Sequence, residues 1–178
     1  MSEIAKHTLR FHRQTTRANH TRIDRLMESV LTLFEGRLRN ADIKVMCALS
    51  DKHEVFGFDG ELRQVLANLV GNSIDAMNGS TSRRILHLRT KEGISRKSGR
   101  PGVIITVADT GTGIPASTLA RIFEPFYTTK GDVGTGLGLW VSSEIVEKHQ
   151  GELRLRSSQA QERHGTVFRL FLPLDAPD

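Results

Sequence analysis

The chain has 178 residues, 38% of them apolar and 25% charged, with a formal net charge of +5, the size and balance of one ordinary globular domain with room for an extension. No apolar run approaches ~20 residues, which excludes a membrane-spanning helix, and residues 1–17 contain no apolar signal-peptide core. The lone Cys47 excludes an internal disulfide framework and fits a reducing cytosol, and no Cys/His cluster has zinc-ligand spacing.

Residues 4–14 (IAKHTLRFHRQ) carry a helical rhythm in Ile4, Leu9 and Phe11 and start abruptly, so they are expected to be the end of a longer helix. Thr15 to Thr21 reads as a polar break. Residues 22–38 predict a helix, with Ile23, Leu26, Met27, Val30, Leu31 and Phe34 at helical spacing and Asn40 closing it. Between Asp42 and Leu49 the alternation of Ile43, Val45 and Cys47 predicts a strand with these three pointing inward, and residues 53–58 a second short strand. A helix is expected from about 60 to 78, with Asp59 as its N-cap and Glu61 favourable in its first turn. Its apolar face is Leu62, Val65, Leu66, Leu69, Val70 and Ile74; Gln64, Asn68, Asn72 and Asp75 form a narrow stripe on the other side.

Residues 84–90 alternate as a strand, and a basic loop rich in glycine and serine is expected from Glu92 to Gly102. Val103 to Ala108 is a buried strand that runs into Asp109-Thr110-Gly111-Thr112-Gly113-Ile114-Pro115. Pro115 can open a short helix to about Ile122, and a loop rich in turn residues follows to Val133. Gly134-Thr135-Gly136-Leu137-Gly138-Leu139 then leads into a helix with Leu137, Val141 and Ile145 on one side, Ser142, Ser143, Glu147 and Lys148 turned away, and Gly151 as its stop. Residues 152–157 and 165–172 are two more strands, the second ending at Pro173. The order predicts an α/β two-layer sandwich of one mixed sheet with helices on one face.

The glycine loop leading into a helix start is an anion site in outline. The first backbone N–H groups of a helix lack intrahelical partners, the helix dipole favours negative charge there, and glycine lets a ligand approach closely. Arg83, Arg84, Arg89, Lys91, Arg96, Lys97 and Arg100 are opposed only by Glu92. They read as a solvated strand end and loop, because the stretch lacks the interleaved aromatics that stack on single strands. Asparagine is a poor helix-interior residue, so two of them on one stripe argue for a polar role.

Four motifs stand in order: Asn68 and Asn72 on a helix, Asp109-x-Gly111-x-Gly113 at a strand end, Phe123-Glu124-Pro125-Phe126 in a loop and Gly134-x-Gly136-x-Gly138 at a helix start. They resemble the N, G1, F and G2 boxes of the GHKL ATP-binding fold, and the full form is similar to the catalytic domain of bacterial two-component sensor histidine kinases. Gly165-Thr166-Val167-Phe168 with Leu172-Pro173 resembles the family's closing strand. The resemblance covers residues 22–178 and implies a Bergerat-type sandwich that binds ATP with Mg2+. It implies that Asp109 accepts the adenine exocyclic amine, that Thr166 completes the contact, and that Gly111, Gly113, Ile114, Phe123 and Phe126 belong to the nucleotide site. It makes Asn72 the magnesium ligand, with Asn68 and Asp75 beside it. Thr128, Thr129 and Lys130 are placed to reach the phosphates, with Lys130 the direct contact, as are Gly134, Thr135, Gly136, Leu137 and Gly138. Asn68, Asn72 and Lys130 form the implied catalytic set, and residues 116–135 are expected to form a lid.

Gyrase and mismatch-repair ATPases carry at position 68 a glutamate that activates water. An amide cannot act as that base, so the resemblance implies poor hydrolysis and transfer of the γ-phosphoryl group to a histidine held elsewhere. His53-Glu54 has the acceptor dipeptide but lies in a short strand without the downstream proline, and His7 and His12 lie outside any acceptor motif. HTLRFHRQ is similar to the end of the second dimerisation helix of sensor kinases, so the resemblance implies that residues 1–21 are a remnant of that helix and its linker, and 22–178 the catalytic domain. The implied partners are ATP, the parent's histidine-containing dimerisation domain and a response regulator, in the cytoplasm, without nucleic acid or direct membrane contact. Two alternatives stand beside this reading. One is a GHKL serine kinase, against which the helix remnant argues. The other is a degenerate nucleotide-binding module, against which the intact Asn72, Asp109 and Lys130 argue.

Overall fold

The chain is described from a computed structural model, which covers residues 17–78, 80, 83–128, 134–160 and 163–175. The expected helix over 4–14, with His7 and His12, lies outside the described residues. In chain order the elements are β1 (Asn19–Arg22), α1 (Ile23–Asn40), β2 (Lys44–Ala48), β3 (Glu54–Gly57), α2 (Asp59–Asn78), β4 (Ile85–Ile94), β5 (Pro101–Asp109), α3 (Ala116–Leu119), α4 (Gly138–Lys148), β6 (Glu152–Ala160) and β7 (Arg163–Pro173).

The main sheet has the order β2-β4-β5-β7-β6. Its β2–β4 pair is parallel and the others antiparallel, so the sheet is mixed as expected. Alternation fixes its inner face: Leu86 and Leu88 on β4, Val103, Ile105 and Val107 on β5, and Phe168, Leu170 and Leu172 on β7 are all buried. Helices cover that face. On α1, Ile23, Leu26, Met27 and Val30 recur at helical spacing and are buried, while Leu33 is exposed. On α2, Leu62, Val65, Leu66, Leu69, Val70, Ile74 and Met77 do the same. Each such side chain contributes about 1.5–3 kcal/mol by leaving water.

Helix α4 is anchored at both ends. At its C-terminus the buried His149 accepts the Phe58 N–H on Nε2 (3.1 Å), and its Nδ1 bonds the Ile145 carbonyl (2.8 Å). The ring therefore carries its proton on Nδ1. Lys148 adds an ion pair to Glu61 at 2.6 Å.

Several local expectations are corrected. The polar break contains β1, which pairs antiparallel with β3 in a separate two-stranded sheet and buries Thr21 against Asp59. Asp59 lies inside α2 rather than capping it, because the Leu62 N–H already reaches the Phe58 carbonyl (3.0 Å). Cys47 is exposed, since β2 is an edge strand along which burial falls from Ile43, just before it, through the partly buried Val45. The basic loop is much shorter than expected: β4 and β5 extend as a hairpin to Ile94 and Pro101, and the Ser95 N–H closes the turn on the Arg100 carbonyl (2.9 Å). Helix α3 ends at Leu119. Ser142, expected to face solvent, is fully buried. Gln150, at φ 53°, takes the left-handed position after α4; Gly151 follows, and its N–H bonds the Val146 carbonyl (2.8 Å). His164 lies near the start of β7.

Candidate functional site

A cleft of about 530 Å³ opens between α2, the C-terminal end of β5, β7, the segment after α3 and the start of α4. Asn72, Asp75, Asp109, Gly113, Ile114, Thr128, Thr135, Gly136, Gly138 and Thr166 all line it. Residues separated by up to ninety-odd positions are thus brought together as the motifs require. Thr129 and Lys130, and with them part of the expected lid, lie outside the described residues.

Asp109 ends β5 and is 6% exposed. Its Oδ1 accepts the N–H groups of Gly111 (2.9 Å) and Thr166 (3.2 Å), while Oδ2 completes no hydrogen bond. Burial pushes this carboxyl above the usual carboxylate range, opposed by the Gly111 N–H, the Ser73 hydroxyl and the Thr166 N–H. Ser73, fully buried on α2, likewise completes no hydrogen bond of ordinary geometry. The two groups face each other, Ser73 from α2 and Asp109 from the end of β5, behind the wall that Asp109 gives the cleft.

The loop after Asp109 is held on every side. A side chain at Gly111 would place its Cβ 2.7 Å from that of Ala76, and Gly113, at φ 72°, leaves room for the Ser158 carbonyl. The Thr112 N–H reaches the Ala76 carbonyl (3.2 Å), and the Ile114 N–H reaches Ser157 Oγ (2.8 Å). His164 Nδ1 stands 2.7 Å from the Gly111 carbonyl. Ser157 also bonds Thr166 Oγ1 at 2.9 Å, which ties β6 to the cleft wall.

Asn68 lies beside the cleft rather than in its lining. Its Nδ2 donates to the Gly138 carbonyl (3.0 Å) and to Ser142 Oγ (3.1 Å), and that hydroxyl donates to the same carbonyl (2.8 Å). The asparagine therefore pins the start of α4 to α2. Asn72 and Asp75 are one turn and two turns further along and do line the cleft; Asp75 also pairs with Arg37 of α1. Both present hard oxygen donors. Among the described residues no group of three His, Cys, Asp or Glu could hold a metal unaided, so an ion here would depend on phosphate oxygens as well.

Other expected residues sit at the margin. Gly111 packs on α2, and Leu137 closes the first turn of α4 through its carbonyl, which accepts the Val141 N–H (2.9 Å). Phe126 is 76% exposed, and neither it nor Phe123, Gly134, Leu137 or Gly111 lines the cleft. Ile122 and Tyr127 supply the apolar wall from that loop, joined by Ala76, Thr112, Leu139 and Phe168. These were missed because they are apolar or small residues inside motifs read for their polar members. Ser142 had a signal: it follows Gly138 by one helical turn and so shares the buried face of α4.

The family model described as histidine kinase-, DNA gyrase B- and HSP90-like ATPase matches residues 59–176. The two-component sensor PprA of Pseudomonas aeruginosa is 38% identical over 152 residues, covering 84% of this chain and 16% of that protein. The sensor histidine kinase ZraS of Salmonella typhimurium is 42% identical over 115 residues, 65% of this chain and 22% of that one. The chain thus spans a minor part of these relatives' length. The nucleotide-free catalytic domain of the histidine kinase ThkA superposes with a TM-score of 0.73 at 27% identity, over 89% of this chain and 97% of that domain. Family match, relatives and superposition agree: this chain belongs to the histidine kinase-, DNA gyrase B- and HSP90-like ATPase family, and its relatives within it are sensor histidine kinases.

Proposed function

We propose that the chain binds ATP with Mg2+ in this cleft and passes the γ-phosphoryl group to a histidine on a separate acceptor domain, the first step of two-component signalling. The observation that carries the reading is Asp109: a buried carboxyl, fixed through one oxygen by the Gly111 and Thr166 N–H groups, lines the cleft. An acceptor so oriented suits the exocyclic amine of adenine. Thr166, bound through Ser157, stands beside it.

Asn72 and Asp75 fit a magnesium ion shared with the phosphates, whose charge the ion would offset when bound. Lys130 is assigned to the phosphates as a point charge. The start of α4, where Thr135, Gly136 and Gly138 line the cleft, offers backbone N–H groups to the same anion. Asn68 supports transfer over hydrolysis. It has no carboxylate to take a proton from water, and its amide nitrogen is engaged by Gly138 and Ser142. Phosphoryl transfer of this kind is chiefly positioning and charge stabilisation.

An acceptor domain, a downstream response regulator and a cytoplasmic setting belong to this reading, and the relatives' descriptions as two-component sensors support the first two. No helix among the described residues is long and apolar enough to cross a membrane. Calorimetric titration with ATP, with and without Mg2+, is the direct test. Saturable, magnesium-dependent binding is expected, and its absence would leave the degenerate-module reading in place.

A further inference from the structure

The main sheet has a second face, which no described helix covers. The strand register arranges that face in rows. Arg89, Thr106, Arg169 and Arg154 lie in one row across β4, β5, β7 and β6. The rows on either side are His87, Ala108, Val167 and Arg156, and Lys91, Ile104, Phe171 and Glu152. Arg154 and Arg169 are direct cross-strand partners, a like-charge pairing that works against the sheet. Glu152 is the acid of these rows, and it is already engaged by Arg154 at 2.5 Å and by the Ser95 hydroxyl. Among the described residues, Arg96, Arg156 and Arg169 make no ion pair.

Arg96, Glu152, Arg154, Arg156 and Arg169 surround a depression of about 420 Å³. The hairpin end at Ile94, Ser95 and Arg96 walls it, and Val167 and Phe171 contribute apolar surface between the guanidinium groups. Ile94 is 68% exposed and Val167 41%. We propose that this face docks an acidic polypeptide segment in extended conformation, with carboxylates pairing the arginines and an apolar side chain against Val167.

The choice of occupant follows from the chemistry present. Guanidinium forks match carboxylates bidentately. Arg154 and Arg156 are two residues apart on one strand, about 7 Å, which is also the distance between alternate side chains of an extended peptide. The described part of this face presents no exposed aromatic on which a base could stack, Phe171 being 5% exposed. A recessed apolar floor is withheld from a flat bilayer. The depression lies on the opposite side of the sheet from the nucleotide cleft, so the two sites can fill independently, and this inference does not rest on the nucleotide reading.

Fluorescence anisotropy of a labelled peptide of alternating glutamate and leucine, titrated with the 178-residue chain, tests it. Saturable binding is expected, weakening as salt rises and absent for the lysine–leucine counterpart. The R156A/R169A double variant should bind about tenfold more weakly, with its thermal midpoint and ATP affinity unchanged. If that variant does not fold, R156K/R169K carries the test, because it keeps the charge and loses the forks; it should also bind more weakly. Equal peptide affinity in a folded variant, or no saturable binding by the parent chain, would overturn the proposal. So would tighter binding of a short DNA duplex or of phosphatidylglycerol vesicles that the same substitutions abolish.

Discussion

In the proposed site Asp109 would serve as both a buried charge and a recognition group, and the two demands pull apart. Its folded-state pKa is raised by burial. The folded chain therefore binds more protons than the unfolded chain, and stability falls as pH rises from the ordinary carboxylate value through the raised one. Above that window the ionised carboxylate is a standing cost to the fold. In Asp109→Asn the amide oxygen can keep the Gly111 and Thr166 N–H bonds, but the NH2 then replaces Oδ2 and turns a donor toward the adenine amine. The variant should keep or raise the thermal midpoint at neutral pH in scanning calorimetry, while ATP affinity drops by about 1–3 kcal/mol. In the parent chain, ATP affinity should fall as pH is lowered through the raised pKa, because the protonated carboxyl loses an acceptor. An affinity flat with pH in that range would remove Asp109 from the adenine contact. Asn72→Ala should take away most of the magnesium dependence of binding and nearly all transfer to a supplied acceptor. Transfer at the parental rate would refute the metal assignment.

At the scale of elements, the cleft is set by how loops lock onto α2 and α4. Gly136 has φ 65°, and a Cβ there would stand 2.4 Å from the carbonyl carbon of Phe126, itself at φ 65°. Gly136→Ala must therefore strain the backbone by about 1–2 kcal/mol and push the two loops apart. ATP affinity is expected to fall about tenfold or more, with little change in the hydrogen-exchange protection of β4, β5 and β7, which lie in the core beneath. Intact affinity would show that the loops do not need this contact. The same elements show what the sequence makes legible. The periodicity of α1 and α2 and the apolar run of β5 declare themselves because burial alone selects those residues. The glycine motifs do so because only glycine tolerates Ala76 and Ser158 at such range. β1 is hidden, since its stability comes from pairing with β3 and from Thr21 meeting Asp59, neither visible in a local window. The hairpin extension past Arg89 is hidden because β4 there carries Lys91, Glu92 and Gly93 and β5 opens with Pro101-Gly102, residues that read locally as a loop. Ser73 was unreadable as a site residue, because a buried hydroxyl looks like a solvent-facing one until its partner is known, whereas Ser142 was marked by its spacing from Gly138. Cys47 misled for the converse reason: an edge strand alternates without being buried.

At the scale of the whole molecule, the described histidines stand away from the cleft. His149 has both ring nitrogens engaged within the fold, and His164 is bonded to the Gly111 carbonyl. His53 is buried, and His20 stacks edge-on against Phe56. His87 is on the outer sheet face, across the sheet from the cleft. None of these described histidines is presented to a γ-phosphate in the cleft, and Asn68 offers water no base. The chain should accordingly bind Mg-ATP, hydrolyse it slowly and leave itself unlabelled. An acceptor domain supplied as a separate polypeptide should become labelled, but weakly, because transfer in trans lacks the tether that raises effective concentration. The product should be acid-labile and base-stable, as a phosphoramidate on histidine is, rather than acid-stable like a phosphoester on serine. Incubation with γ-labelled ATP followed by acid and base treatment distinguishes the two. Stable labelling of the isolated chain at any of its own histidines would mean that the fold brings an acceptor to the cleft after all, and an acid-stable label on the partner would point to serine kinase chemistry instead.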